Sequence, residues 1–125
     1  MISIDEVEAL LDEVAEEMPA AFYEHLNGGV LLLPQEKLHP QRRADDFYIL
    51  GEYHHTLDMG KFIVIYYGSF ARVYGHLTPE RLRDELKRVL IHEFTHHVER
   101  LAGERELEKK DARDLDRYWR RWNRS

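Results

Sequence analysis

The sequence predicts an α+β domain in which a small sheet of three or four strands packs on one long helix, with a further helix at each end of the chain. Two observations support this prediction. Residues 3–17 and 78–103 repeat apolar side chains three or four positions apart, which is the spacing of a helix. Between them, three short segments rich in β-branched or aromatic side chains are bounded by glycine or proline, as strands commonly are.

The first predicted helix begins at Ser3 and ends near Glu17. Ser3 and Glu6 match a capping box, in which each side chain binds a backbone N–H group at the start of a helix. The Met18-Pro19 pair ends or kinks the helix, because proline lacks the N–H group that would continue it. The apolar stripe that we expect to face the core contains Val7, Leu10, Leu11, Val14 and Met18.

Three strands are predicted between the first helix and the long helix. They are Val30–Leu33, Phe47–Tyr53 with a bulge at Gly51, and Lys61–Tyr67, which has the densest run of β-branched and aromatic residues. Residues 35–46 are polar and predict an exposed loop, and residues 54–60 predict a turn. Gly68-Ser69 breaks the third strand, and Phe70–Gly75 predicts a short helical link.

The long helix is predicted from Thr78 to Gly103. Thr78 suits the N-cap, Pro79 suits the first helical position, where its missing N–H group is no loss, and Gly103 is a natural stop. One broad apolar stripe runs along this helix and is formed by Leu82, Leu86, Val89, Leu90, Phe94, Val98 and Leu101. Residues 104–122 predict a separate final helix with the apolar members Leu107, Leu115, Tyr118, Trp119 and Trp122.

Within the long helix, residues 92–96 read HEFTH and match the pattern H-E-x-x-H. His92 and His96 project from one side of the helix about one turn apart, so both imidazoles can bind one metal ion. Zinc suits two nitrogen ligands and one oxygen ligand, with a fourth position left for water. Glu93 is rotated by about 100° around the axis, and its carboxylate can take a proton from that water without binding the metal. The spacing therefore predicts two ligands and a general base on one helix.

The place of the motif on the helix favours a metal site over a chance match. Many helices have two surface histidines, and a pattern with only three fixed positions recurs by chance. Here His92 and His96 lie away from the centre of the apolar stripe and share one side of the helix. His97 lies near the centre of the stripe instead, and we expect it to be a buried, hydrogen-bonded core histidine.

The composition limits the classes of function that fit the chain. Its 125 residues, 43% hydrophobic and 34% charged, suit one domain over residues 1–125. The net charge of −6 disfavours nucleic acid as a partner. The absence of cysteine excludes disulfides and thiolate ligands and fits a reducing compartment, so we expect a cytoplasmic protein. No apolar run reaches membrane-spanning length and the first residues lack the pattern of a signal peptide, so we expect no membrane partner.

Two segments resemble the small bacterial metallopeptidases that have a minimal zincin fold. They are FIVIYYGSF and LKRVLIHEFTHHVERLAGE, within a similarity that spans residues 52–111. The doubled histidine His96-His97 is typical of that family and more specific than H-E-x-x-H alone. The resemblance implies a zincin-like fold whose edge strand lines the cleft and pairs with an extended peptide. It also implies a zinc-dependent hydrolase with His92 and His96 as ligands and Glu93 as the base.

The sequence departs from the family pattern where the third metal ligand is expected. Many relatives continue as H-E-x-x-H-x-x-G-x-x-D, but here Glu99 stands at the glycine position and Ala102 at the acidic position. Glycine comes later, at Gly103, and Glu104 follows it. Glu104 is our first choice for the third ligand, because a turn at Gly103 can fold it back toward the metal, and a solvated surface carboxylate is the alternative. The other acidic side chains that stay open as ligands are Glu99, Glu106, Glu108 and Asp111.

These features predict a zinc metallopeptidase that hydrolyses an extended, accessible peptide or protein, because so small a domain has little wall for a deep pocket. His54, His55 and His76 can approach the cleft and stabilise an oxyanion, although loop histidines are more often only exposed. One alternative is an inactive metal-binding or protein-interaction module, against which the presence of Glu93 argues. Another is a nucleic-acid accessory protein that uses the arginines and tryptophans of residues 113–124, which the net charge disfavours.

Overall fold

The computed structural model describes residues 2–40 and 47–122, with side chains at all of these positions except 115, 118, 119, 121 and 122. Residues 41–46 of the predicted loop, and Arg124 of the arginine-rich end, lie outside the described residues. The described elements are α1 (Ile4–Glu17), a 3₁₀ helix (Ala20–Tyr23), β1 (Gly29–Leu33), β2 (Gly51–Thr56), β3 (Gly60–Tyr66), α2 (Tyr67–Tyr74) and α3 (Pro79–Trp122). The predicted α+β class and small sheet are confirmed.

Helix α1 has the predicted start and the predicted core face. The Ser3 hydroxyl accepts a hydrogen bond from the Glu6 N–H group at 3.2 Å, which satisfies one of the N–H groups that a helix start leaves without a partner. Val7, Leu11 and Val14 are buried in the main core, where α1 packs on α3. Beside this apolar contact, ion pairs join the two helices through Arg83, Lys87, Glu13 and Glu17.

The sheet has the order β1-β3-β2, with β3 at its centre. Strand β3 is parallel to β1 and antiparallel to β2. Because side chains alternate along a strand, Ile63 and Ile65 face the main core under α1 and α3. Phe62, Val64 and Tyr66 face the other way and form a second, smaller apolar cluster.

Strand β2 lies further along the chain than predicted, at Gly51–Thr56 instead of Phe47–Tyr53. Antiparallel pairing with β3 sets this register, since Thr56 lies opposite Gly60 and the turn between them closes the hairpin. Gly60 has a φ of 69°, a left-handed conformation that glycine adopts without a steric penalty. The hairpin therefore draws residues 54–56, predicted as part of a turn, into the sheet. Of the segment before β2, Tyr48 forms only an isolated bridge to Leu38.

Gly51 starts strand β2 and lets it approach α3 closely. A Cβ atom at this position would lie 3.0 Å from Val89 Cγ1 and 3.1 Å from Ile65 Cδ1. Glycine thus serves close packing here instead of the predicted bulge. The consequence is that the edge of the sheet lies directly against the helix that carries H-E-x-x-H.

Helix α2 follows β3 without the predicted break. Gly68 and Ser69 lie inside α2, which begins at Tyr67. The Gly68 N–H group donates to the Gln35 carbonyl at 3.1 Å, and a Cβ atom on Gly68 would lie 2.5 Å from the Glu36 nitrogen. This glycine is therefore explained by contact with the segment after β1.

Helix α3 begins as predicted, after Thr78, but it does not stop at Gly103. It runs for 44 residues from Pro79 to Trp122 and includes the predicted final helix. Glycine within a helix costs only about 1 kcal/mol relative to alanine, and residues 104–114, with the sequence ERELEKKDARD, are mostly strong helix formers. Ion pairs three or four residues apart support the same conformation, and they join Arg100 to Glu104, Glu106 to Lys109 and Asp116 to Arg120.

The first part of α3 is packed and the later part is exposed. Leu82, Leu86, Leu90 and Phe94 are almost completely buried, whereas Leu107 is 62% exposed. The predicted stripe therefore ends earlier than expected, since Val98 is already 40% exposed. Among the described residues, no helix combines the length and the apolar character needed to cross a membrane.

Candidate metal centre

The two motif histidines converge on the exposed side of α3. His92 and His96 are four residues apart, and their Nε2 atoms lie 3.1 Å from each other. The rings are nearly perpendicular, at 89°, with centroids 4.7 Å apart. Both side chains are exposed, as their position away from the apolar stripe predicted. Solvent and small ions can therefore reach both nitrogen atoms.

Glu93 lies beside the histidines but points into a more enclosed place. It is only 5% exposed. Burial raises the pKa of its carboxyl above the ordinary value of 4.5, while the nearby imidazoles of His92 and His96 act in the opposite direction. One ligand atom from each of these three residues lies within 4.8 Å of the other two. The motif thus brings two nitrogen donors and one oxygen atom to one place.

The donor atoms fit a zinc ion. Zn–N bonds of about 2.0–2.1 Å in tetrahedral geometry place two ligand nitrogens about 3.3–3.4 Å apart. The observed 3.1 Å between the His92 and His96 nitrogens is close to that separation. Within residues 2–40 and 47–122, no further histidine or carboxylate joins this group of three. The two nitrogen atoms are therefore spaced as two imidazole ligands of one tetrahedral metal ion would be, with Glu93 next to them.

Glu104 is not brought to the histidines. It follows His96 by eight residues, or about 12 Å along the axis of an uninterrupted helix. The turn at Gly103 that would fold it back does not exist, because α3 continues through this residue. Instead, the Glu104 carboxylate accepts hydrogen bonds from Lys61 Nζ at 2.7 Å and Arg100 Nε at 3.2 Å. The bond from Lys61 is the main reason that the pKa of Glu104 lies below its ordinary value.

The four other acidic residues considered as ligands also lie outside the group of three. Glu99, Glu106, Glu108 and Asp111 are exposed positions of the same continuous helix. Glu106 pairs with Lys109 at 3.6 Å. The structure therefore places none of the predicted third ligands beside the His92 and His96 nitrogens.

His97, the second histidine of the doubled pair, is a buried core residue as predicted. It is fully buried, and its Nε2 atom lies 2.7 Å from the Glu24 carbonyl oxygen. Because a carbonyl can only accept, Nε2 carries the proton and Nδ1 accepts. The Tyr53 hydroxyl therefore donates to Nδ1 at 2.7 Å. These two hydrogen bonds join β2, α3 and the segment after the 3₁₀ helix directly behind the motif.

An open cavity of about 470 Å³ lies between the edge strand and the motif. Its lining residues are Gly51, Glu52, Tyr53, Glu93, His96 and Arg100. Burial acts to raise the pKa of Glu52, but hydrogen bonds from Lys37 and Tyr66 outweigh it, so the pKa lies below its ordinary value. The cavity is therefore lined mainly by polar residues, with β2 on one side and α3 on the other.

The three histidines that were predicted to lie in loops have three different environments. His54 lies in strand β2, where its ring stacks on Phe62 of strand β3 and its Nε2 atom lies 3.6 Å from the Glu52 carboxylate. His55 Nδ1 accepts a hydrogen bond from Arg100 at 2.6 Å. His76 is exposed and lines a separate cavity near the start of α3. His54 and His55 thus each contact a residue that lines the cavity beside the motif, whereas His76 lines a different cavity.

Sequence reasoning missed Tyr53 and Arg100. Arg100 could have been found, since it follows His96 by four residues and continues the row of His92 and His96 along the helix. Tyr53 could not have been paired with His97 from the sequence, because their contact spans 44 residues and depends on the register of β2.

Comparison with known proteins finds a relative of this chain among the solved structures. No family model matches it. No curated protein matches it. Among solved structures, it is similar to a conserved hypothetical protein from Thermus thermophilus, with 31% sequence identity and a TM-score of 0.69 over 81% of this chain and 98% of that one. The chain belongs to the same family as this protein, whose description names no activity.

Proposed function

We propose that the protein is a zinc-dependent metallopeptidase with a minimal zincin fold. The main support is the geometry of His92 and His96, whose Nε2 atoms lie 3.1 Å apart on an exposed side of α3. The buried carboxylate of Glu93 lies next to them. A site of this kind needs two imidazole ligands, a third ligand and a separate base, and these residues supply the two imidazoles and the base.

His92 and His96 would hold the zinc ion, which when bound lowers the pKa of a water molecule and polarises a carbonyl group. Glu93 would accept the proton of that water and deliver it to the leaving amine. Burial favours this role, because it raises the pKa of Glu93 and so strengthens it as a base. The hydrogen-bonded pair Tyr53 and His97 would hold β2 against the motif, since it joins the strand to α3.

The edge strand provides a place for an extended substrate. In the described sheet, β2 pairs with β3 on one side only, and its other side lines the cavity next to Glu93 and His96. An extended peptide can add to such an edge through backbone hydrogen bonds. The cavity is open, so an accessible segment of a peptide or protein fits it better than an enclosed small molecule.

The position of Glu104 favours one alternative, an inactive metal-binding or protein-interaction module on the same fold. Two cations hold its carboxylate away from the histidines. With the two motif histidines as its protein ligands, a site would bind zinc more weakly than one with three. Glu93 argues for the peptidase, because a site that only binds metal has no need of a base.

One experiment separates the two functions. Zinc content is measured first, in protein purified without a chelator or an affinity tag. Zinc-loaded wild type and Glu93→Gln are then incubated with unstructured peptides. The peptidase proposal expects both proteins to bind about one zinc, and cleavage by wild type to exceed that of the variant by about 10²–10⁴-fold. Equal residual cleavage by the two proteins would point to a contaminant and favour the inactive module.

A further inference from the structure

Arg100 places a positive charge in the cavity beside the motif. It follows His96 by one helical turn and lines the same cavity as Glu93 and His96. Among the described residues that line this cavity, it is the only lysine or arginine. A positive charge therefore lies about 6 Å along the helix from the nearer motif histidine.

The charge of Arg100 is only partly neutralised by its ion-pair partner, Glu104. Its partner Glu104 is shared, since one carboxylate oxygen binds Arg100 at 3.2 Å and the other binds Lys61 at 2.7 Å. Two cations thus share one carboxylate, which leaves a net charge of about one. The neighbouring acid in the cavity, Glu52, is paired with Lys37 at 2.6 Å. Its own ion pair therefore neutralises Arg100 only in part, and Glu93 is the remaining carboxylate of the cavity lining.

The hydrogen bonds of Arg100 hold its guanidinium in a defined orientation and leave donors available. Its Nε group donates to Glu104, and one Nη2 hydrogen donates to His55 Nδ1 at 2.6 Å. A guanidinium has five N–H donors, so three remain without a partner among the described residues, and they lie on both terminal nitrogens. One N–H group from each terminal nitrogen forms the planar pair that binds a carboxylate with two parallel hydrogen bonds.

We infer that Arg100 forms a subsite that recognises a carboxylate of the bound peptide. This inference rests on the proposed function, and it narrows the substrate class to peptides with a negative charge near the cleaved bond. An extended peptide advances about 3.3 Å per residue. The length of one helical turn, about 5.4 Å, therefore spans about two residues of an extended peptide. The recognised carboxylate should thus lie within about two residues of the cleaved bond. It comes from either the C-terminus of the peptide or an aspartate or glutamate side chain.

Short peptides with acetylated N-termini, compared in matched pairs, distinguish the two sources. The first pair ends either in a free carboxylate or in an amide. The second pair has an amidated end and differs only by aspartate or asparagine, placed in turn at each position. Binding is followed by chemical-shift changes of the isotope-labelled protein, with and without one equivalent of zinc. The peptide signals in the same samples report any hydrolysis, so binding and catalysis are measured separately.

We expect wild type to bind at least one acidic peptide about tenfold more tightly than its neutral counterpart, since hydrogen bonds to charged groups are the strong ones. Arg100→Gln should lose this preference and bind both members of the pair alike. Arg100→Lys should keep part of it, because lysine retains the charge but not the planar pair of donors. The matched control is Arg105→Gln, which removes the same charge from the neighbouring cavity of about 300 Å³, and it should keep the full preference.

Glu104→Gln should change the binding of the acidic peptide in the opposite direction from Arg100→Gln. Removing the carboxylate that competes for Arg100 should strengthen binding of the acidic peptide by several-fold, while zinc affinity stays the same. A fall in zinc affinity in this variant would instead identify Glu104 as a metal ligand and overturn the subsite as described.

The possible results separate the subsite from the proposed function. A preference that disappears in Arg100→Gln, without any hydrolysis, supports the subsite and contradicts the peptidase. Hydrolysis by wild type without a preference supports the peptidase and overturns the subsite. An unchanged preference in Arg100→Gln, or no binding of any acidic peptide, also overturns it.

Discussion

Residues 79–101 and 102–122 belong to one helix, yet different interactions stabilise them. In the first part, Leu82, Leu86, Leu90 and Phe94 are buried in the main core. In the second part, the described side chains are mostly exposed, and Leu107 is 62% exposed. Apart from the ion pair of Glu104 with Lys61, local ion pairs such as that between Asp116 and Arg120 support the helix there.

This difference explains where the candidate site lies. A metal site needs ligands whose backbone is held firmly, and tertiary packing provides most of the stability of a helix in a protein. His92, Glu93 and His96 all belong to the packed part, one residue or two from the buried Leu90, Phe94 and His97. Arg100 lies near the end of the packed part, and Glu104 lies near the start of the second part.

The largest expected effect on stability comes from truncating a buried side chain in the packed part of α3. Phe94 is fully buried and contacts the rings of Phe22 and Tyr23, with centroids 5.5 and 5.0 Å away. Phe94→Ala should lower the free energy of unfolding by about 3–5 kcal/mol, because it removes apolar contacts and leaves a cavity. Urea denaturation followed by circular dichroism measures the loss.

Leu107→Ala is the matched change in the exposed part. It should alter the free energy of unfolding by less than about 0.5 kcal/mol. If Leu107→Ala were as costly as Phe94→Ala, the second part of α3 would be packed against something, and the contrast between the two parts would be wrong.

A smaller effect is expected from the buried histidine. His97→Ala would leave the Tyr53 hydroxyl and the Glu24 carbonyl without their partner. It should cost about 1–3 kcal/mol in free energy of unfolding. His92→Ala, an exposed change on the same helix, should cost the metal-free protein almost nothing. The Tyr53→Phe, His97→Ala double variant should cost less than the sum of its single changes, and additive costs would contradict the hydrogen bond between them.

The third prediction concerns the charge of Glu93, and its sign follows from burial. The pKa of Glu93 is raised in the folded protein from its ordinary value of 4.5. The stability that its proton provides is thus fully present below the unfolded value and is lost as the pH rises through the folded value. Glutamine carries no charge, so Glu93→Gln should make the metal-free protein more stable than wild type at neutral pH.

The stability gain from Glu93→Gln should shrink as the pH falls through the raised pKa of the folded protein. It should be lost below 4.5, where the carboxyl group is protonated in both the folded and the unfolded state. Melting temperatures of the two metal-free proteins across this range test the prediction. A gain that does not change with pH would show that it comes from packing and not from the buried charge.

The smallest effect is expected at Gly103, inside α3. A Cβ atom added there would meet no atom within 4 Å. Gly103→Ala should therefore stabilise the helix locally by up to about 1 kcal/mol, mainly in the exposed part. Amide hydrogen exchange should slow near Gly103, while the global denaturation midpoint moves little. Unchanged exchange would indicate that the helix is already interrupted at this glycine in solution.

The sequence predicted local features well and distant contacts poorly. The positions of His92, Glu93 and His96 followed from helical spacing, which depends only on the backbone. The end of the helix was wrong because Gly103 is a weak stop signal beside many helix formers. The start of β2 was wrong because the hairpin with β3 decides the register. Contacts such as Tyr53 with His97 need both the register and the packing, and no local pattern contains them.

The continuity of α3 at the motif has a consequence for how a metal would enter and leave. A site built from loops must order its backbone when it binds, and this ordering costs conformational entropy. At His92 and His96 the backbone hydrogen bonds of the helix have fixed the Cα positions during folding, so only the two imidazole rotamers remain to be ordered. Metal uptake would leave the backbone almost unchanged, and its rate would depend on removing water from the ion more than on rearranging the protein.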